Sequence, residues 1–142
     1  MREASSIEAA TDARDALAAA PTRADLRNVL HAFAPFRGLP NQTARLGRGR
    51  PFTCAVGTNG VILPAVVNGK SVEWLFDSAF SHTALSESEA RMLGIFAHSA
   101  AATAEDFAGG STSMRTAIAE RITIGDSEVR NVPVLVFPDS QP

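Results

Sequence analysis

The chain has one cysteine, Cys54, so no internal disulfide can staple it and its redox compartment is unreadable. No histidine lies near Cys54 to activate it, and its apolar neighbours predict a buried structural thiol. With three scattered histidines beside that single cysteine, a metal site is not expected, and no cofactor is implied. No apolar run approaches the ~18 residues of a spanning helix, and Met1-Arg2-Glu3 does not open a signal peptide. A soluble chain without membrane contact is expected, its compartment left open. Phosphate-cradling loops of the Walker or Rossmann type are missing, as is a Gly-x-Ser-x-Gly elbow. Acidic residues are in small excess over basic ones. The net value of -2 argues against a nucleic-acid partner.

What is present fits one domain with a real core and a small appendage, in 142 residues. From Ile7 to Ala20 the chain is alanine-rich, with Ile7, Ala10, Ala13 and Leu17 at helical spacing, and Pro21 stops it. Thr22 with Asp25 resembles a capping box, and Leu26, Val29, Leu30 and Phe33 form the stripe of a second helix, which Pro35 ends. Residues 1–36 thus read as a helical N-terminal extension. Docking or dimerisation is one role for it, and simple packing on the main domain is the other. Residues 37–51 hold Gly38, Pro40, Gly47, Gly49 and Pro51 with Arg45, Arg48 and Arg50, the composition of a solvated linker. The charges are unevenly spread: residues 1–50 carry eight arginines against five acids, and the remainder five basic groups against ten acids.

From Phe52 the pattern turns to β. Gly57-Thr58-Asn59-Gly60 is a turn, and Val61–Val67 and Ser71–Phe76 flank Asn68-Gly69, a strong hairpin signal because both turn positions tolerate positive φ. Val72, Trp74 and Phe76 share one face of the second strand, and Leu75 and Asp77 the other. Trp74 is read as packing rather than ligand stacking. Ser86 to Glu89 forms a capping box before Ala90 and Leu93, with Gly94 as the helix stop. Glu87 and Glu89 suit that helix's first turn without any further role. Gly109-Gly110 marks a hairpin tip, and Met114–Ile124 is a long strand that turns at Gly125-Asp126. Val129–Phe137 is apolar on both faces from Val132 onward and should be buried.

Asp77 is the residue to explain. A carboxylate at the mouth of an apolar strand is costly unless hydrogen-bonded, so it either caps the next turn or does chemistry. Asp77, Ser78 and His82 do not suggest a hydrolase triad, because triads draw base and nucleophile from distant segments.

The run Trp74-Leu75-Phe76-Asp77-Ser78-Ala79-Phe80, followed by Leu85 to Ile95 closing in Leu93-Gly94, resembles the active-site segment of retropepsin-like aspartyl proteases, closest to their bacterial branch. The Asn68-Gly69 hairpin sits where that family has its strand pair before the catalytic loop. Phe107-Ala108-Gly109-Gly110 is similar to its flap, and Ile122–Gly125 with Val132–Val136 to the strands that follow. The resemblance covers roughly residues 60–138. It implies a mainly β fold: a retropepsin-like acid-protease β-barrel half with one short helix, preceded by the small helical segment. Residues 52–142 are then the protease domain.

The resemblance further implies an aspartic-type peptide hydrolase acting on peptide or protein substrates. Asp77 is its catalytic carboxylate, paired in a homodimer with the same residue of a second copy. Ser78 supplies the hydroxyl that locks the two loops together, and Phe107, Gly109 and Gly110 belong to the flap over the substrate. Two departures bear on activity. Ala79 stands where the family has glycine, and Pro142 precedes the family's final hydrophobic strand. They suggest the alternative of a truncated domain or an inactive protease-like module that binds peptides or dimerises.

Overall fold

A computed structural model describes residues 6–20, 22–23, 26–27, 30, 40–58, 60–77, 82–98, 101–105 and 111–139. The alanine-rich run forms α1 (Ser6–Ala19). The second helix expected from Thr22 to Phe33 lies for the most part outside the described residues, although Leu26, Arg27 and Leu30 are helical.

The rest is mainly β. Eight strands form one branched, unclosed sheet: β1 (Thr43–Arg45), β2 (Ala55–Gly57), β3 (Gly60–Val67), β4 (Lys70–Phe76), β5 (Thr83–Ser86), β6 (Ala101–Glu105), β7 (Ser111–Ile124) and β8 (Ser127–Phe137). A single short helix, α2 (Glu87–Met92), follows β5. The sheet order is β1-β8-β7-β3-β2, with β4 on β3, β5 on β8 and β6 on β7.

The three long strands share one device. Along one edge each pairs with a single neighbour, and along the other with two strands placed end to end. β8 takes β7 on one side, and β1 and then β5 on the other. β7 takes β8, then β6 and β3. β3 takes β4, then β2 and β7. Splitting an edge between two partners lets a twisted sheet curl without closing. Only β5 runs parallel to its partner.

The core lies under the middle of this sheet. Val67, Ala117, Ala119, Val134 and Val136 are essentially inaccessible, and Leu85, Ala90, Leu93 and Ile95 close over them from β5 and α2. In β8 the buried residues are Val132, Val134 and Val136, yet Val129 also packs on the core. Asn131, at φ +54, separates the two sets, and a left-handed residue there re-aims the strand.

Within the stretch 37–51, expected as a linker, Thr43–Arg45 joins the sheet as β1, with Thr43 opposite Arg130. Composition marked irregular backbone but could not show what holds it. Asp126 accepts the Arg48 and Arg50 N–H groups at 2.7 and 3.4 Å, and Ser127 Oγ accepts that of Gly47 at 3.0 Å. A Cβ on Gly47 would lie 2.0 Å from the Asp126 side chain, so the close approach requires glycine. Cys54 is half-buried rather than buried, since the run around it ends in a three-residue strand at the outer end of β3.

Candidate active site

The site begins at a hairpin. Val67 stands opposite Lys70, leaving a two-residue turn of Asn68 and Gly69 at φ +48 and +84. Positive φ at both positions is what a type I′ turn requires, and that turn matches the right-handed twist of the flanking strands. The register carries through to Val61 opposite Phe76. Asp77 follows β4 directly and is exposed.

After residue 81 the chain returns as exposed His82 and then β5, whose Thr83 pairs in parallel with Val134. The connection that starts with Asp77 therefore links the β3–β4 arm to the core strand β8. α2 comes next, and both its ends are fastened. At the N-terminus Ser86 Oγ accepts the Glu89 N–H at 3.2 Å, while Glu89 Oε2 accepts the Ser86 N–H at 2.8 Å. This is the capping box the sequence predicts.

A long-range bond adds to it. Asp139 Oδ1 accepts the Ser88 N–H at 2.8 Å, which, with the Ser88 hydroxyl and the nearby Arg91 charge, holds its carboxyl below the usual carboxylate range. At the C-terminus Asn68 Nδ2 donates to the Leu93 carbonyl at 3.3 Å, and Lys70 Nζ donates to that of Met92. Gly94, at φ +70, then ends the helix. The hairpin turn thus holds α2 at one end and β4 carries Asp77 at the other.

Between them lies a groove of about 870 Å³, within the range of ligand clefts. Leu63, Val72, Trp74, Leu93, Ile122 and Val132 give it an apolar wall continuous with the core. Glu73, Asp77, Glu89 and His82 line it, and among the described residues neither lysine nor arginine does. Among the described residues, no three His, Cys, Asp or Glu side chains gather as a metal site would need. No described helix is long and apolar enough to cross a membrane.

Of the residues singled out in the sequence, Asp77 stands at this groove. Ser78, Ala79, Phe107, Gly109 and Gly110 lie outside the described residues. The strands flanking the last three are described: Glu105 faces Ser111, so β6 and β7 form a hairpin around residues 106–110. Trp74 packs on the core as expected and also lines the groove. Sequence reasoning did not find the groove itself. The alternation of Val72 and Trp74 hinted at one wall, but Leu93, Ile122 and Val132 meet there only through the sheet topology.

A family model described as aspartyl protease matches residues 63–142. That span runs from the middle of β3 through Asp77, β5, α2 and β6 to β8, more than half of the chain. No curated protein matches the chain. On the strength of the family match, with an exposed aspartate ending the strand of a mainly β domain, the chain belongs to the aspartyl protease family.

Proposed function

We propose that the chain is an aspartic-type peptide hydrolase, retropepsin-like, whose working unit is a homodimer pairing two Asp77 carboxylates around one water. The observation that carries this reading is the exposed Asp77 at the end of β4, beside a large apolar groove and inside the family match. The other acids at the groove are poorly suited as its partner. Glu89 is engaged by the Ser86 N–H, and Glu73 lies four positions before Asp77 on the strand that leads to it, roughly 13 Å away at about 3.3 Å per residue. A second carboxylate then comes from a second copy across a two-fold axis.

Two carboxylates that close share one proton. The ionised one takes a proton from water as the water oxygen adds to the peptide carbonyl carbon, and the protonated one hydrogen-bonds the carbonyl oxygen. Collapse of the tetrahedral species breaks the C–N bond, with the leaving nitrogen taking up a proton. Residues 52–142, with β1 added, form the protease unit in this reading. Residues 1–36 are its helical extension, and the segment Phe107 to Ser113 closes over the substrate as a flap.

The test is cleavage of a peptide library across about pH 3.5 to 7.5, where a shared-proton pair passes through its singly ionised state. Asp77→Asn should lower cleavage by at least about 100-fold while leaving the fold intact. Equal cleavage by parent and variant would refute the assignment, and so would a monomer that cleaves at full rate.

A second reading is favoured by Ala79, which stands where the resemblance expects glycine. It makes the chain an inactive protease-like module that binds peptides or dimerises. Ala79→Gly should raise cleavage under the first reading and leave it unchanged under the second.

A further inference from the structure

β1, β8 and β7 turn a charged face away from the groove. Ile122, Ile124 and Val129 line the groove, and in a strand the residues between such positions point to the other side. On that other side the register sets Arg45 opposite Glu128, and Glu128 opposite Thr123. The next row sets Thr43 opposite Arg130, and Arg130 opposite Arg121. Arg45, Arg121 and Arg130 are all exposed. Three arginines thus stand around a single acid.

The pairing of Arg121 with Arg130 is the unusual part. Gly125-Asp126 is a two-residue turn between Ile124 and Ser127, and such a flanking pair exchanges hydrogen bonds. Bonded and non-bonded pairs alternate from there, which makes Arg121 and Arg130 a non-bonded pair, the kind whose side chains stand closer. Asn68 agrees with this phase. It accepts the Arg121 N–H at 3.1 Å and donates its own N–H to the Arg121 carbonyl at 2.9 Å, so both groups face away from β8. Like charges directly opposite cost stability. Glu128 answers one of them, accepting from Arg130 Nε at 2.8 Å. Among the described residues no acid pairs with the side chain of Arg121 or Arg45.

Such an arrangement is costly in the free chain and favourable once carboxylates are set against it, because a guanidinium holds a carboxylate with two parallel bonds. The loop after β1 adds exposed Arg48 and Arg50, whose backbone N–H groups engage Asp126 and leave their side chains to solvent. Glu128 decides which anion fits. A uniformly charged polymer or membrane would press its charge on Glu128 as well, whereas a protein segment can set a neutral side chain there. Beside the arginines, Val66 stands opposite Thr123 and is 37% exposed, which adds the apolar contact common in protein interfaces.

We propose that the outer face of β1, β8 and β7 docks an acidic segment of a partner protein, its carboxylates held by Arg45 and by the Arg121–Arg130 pair. Arg45 and Arg121 lie about 12 Å apart on the diagonal, two strand spacings across and two residues along. The segment therefore crosses the sheet with acids at both ends of that span. The groove stays open, so the contact is independent of cleavage.

The test titrates the whole chain with a peptide of about ten residues carrying glutamates four positions apart, which an extended chain sets about 13 Å from each other. Its counterpart has glutamine in their place. Amide chemical shifts are followed by NMR at low salt. The glutamate peptide should shift β1, β8 and β7 saturably around Arg45, Arg121 and Arg130. The glutamine peptide should bind at least about tenfold more weakly.

Arg121→Gln should weaken the glutamate peptide several-fold, yet leave the denaturation midpoint equal or slightly higher, because it removes the like-charged pair. A purely structural arginine would lose stability instead. Glu128→Gln should strengthen binding, since it clears the acid from the face. Equal binding of the two peptides, shifts confined to the groove, or parent-like binding by Arg121→Gln would each overturn the proposal. Tighter binding of a DNA duplex or of anionic lipid vesicles than of the peptide would overturn the choice of a protein partner.

Discussion

The two arms of the sheet are built from the same antiparallel ladder, yet one is closed and the other open. Along β8, Val132, Val134 and Val136 are 8%, 1% and 2% exposed, and the strand is paired on both edges. On the inward face of the β2–β4 arm, burial drains away step by step. Val67 is fully buried and Ala65 nearly so, Leu63 and Trp74 are half-buried, and Phe76 and Val56 are 56% and 85% exposed. Asp77 lies at the exposed end of that gradient. Burial is concentrated in one arm and exposure in the other.

The sharpest way to break the comparison is the same kind of deletion in each arm. Val134→Ala removes two methyl groups from a site closed on every side, and should cost about 2–3 kcal/mol of unfolding free energy. Phe76→Ala deletes a larger side chain but should cost less than about 1 kcal/mol, because much of it is already in water. Denaturant midpoints for the two variants decide the matter. Equal losses would mean that the open arm is covered in solution.

Asn68 joins the arms. Its Oδ1 accepts the Arg121 N–H at 3.1 Å, its Nδ2 donates to Leu93, and its φ is +48. Asn68→Ala loses both bonds and strains the turn, for about 1–2 kcal/mol. Asn68→Gly restores the backbone alone, so the difference between the two variants isolates the conformational part. Thr116 offers the opposite sign. It is 1% exposed, and among the described residues its Oγ1 has no hydrogen-bond partner. Thr116→Val keeps the shape and removes the stranded hydroxyl, so it should raise stability by up to about 1 kcal/mol.

Local chemistry made much of this fold legible in advance. Asn68-Gly69, Ser86 to Glu89 and Gly125-Asp126 each carry their own backbone instruction, and each forms the turn or cap expected of it. β1 was hidden because its pairing comes from Arg130, Val129 and Glu128, more than eighty positions away. Cys54 was misjudged for a related reason: apolar neighbours in sequence predict burial only when a second layer covers them, and among the described residues that end of β3 leaves Cys54 half-exposed. At the candidate site, the place of Asp77 after β4 was legible because an acid after an apolar strand is unusual. The groove beside it was not, since Leu63, Leu93, Ile122 and Val132 are brought together by β3, α2, β7 and β8 in three dimensions.

The smallest expected effect tests how the closed arm is finished. Just past β8, Asp139 accepts the Ser88 N–H in the first turn of α2, tying the end of the strand to the helix that walls the groove. That bond, more than the Ser88 hydroxyl or the Arg91 charge, lowers the Asp139 pKa from its ordinary value. A carboxyl whose folded pKa lies below its unfolded value adds stability above the unfolded value, and loses it as the pH falls through the folded one. Asp139→Asn keeps the shape and drops the charge. Parent and variant should therefore differ slightly in denaturation midpoint near neutral pH and converge under strongly acidic conditions. The charge is fully exposed, so added salt should shrink the gap. A gap that persisted unchanged to the lowest pH would mean that Asp139 acts through shape, and that the tie to α2 does not depend on its ionisation.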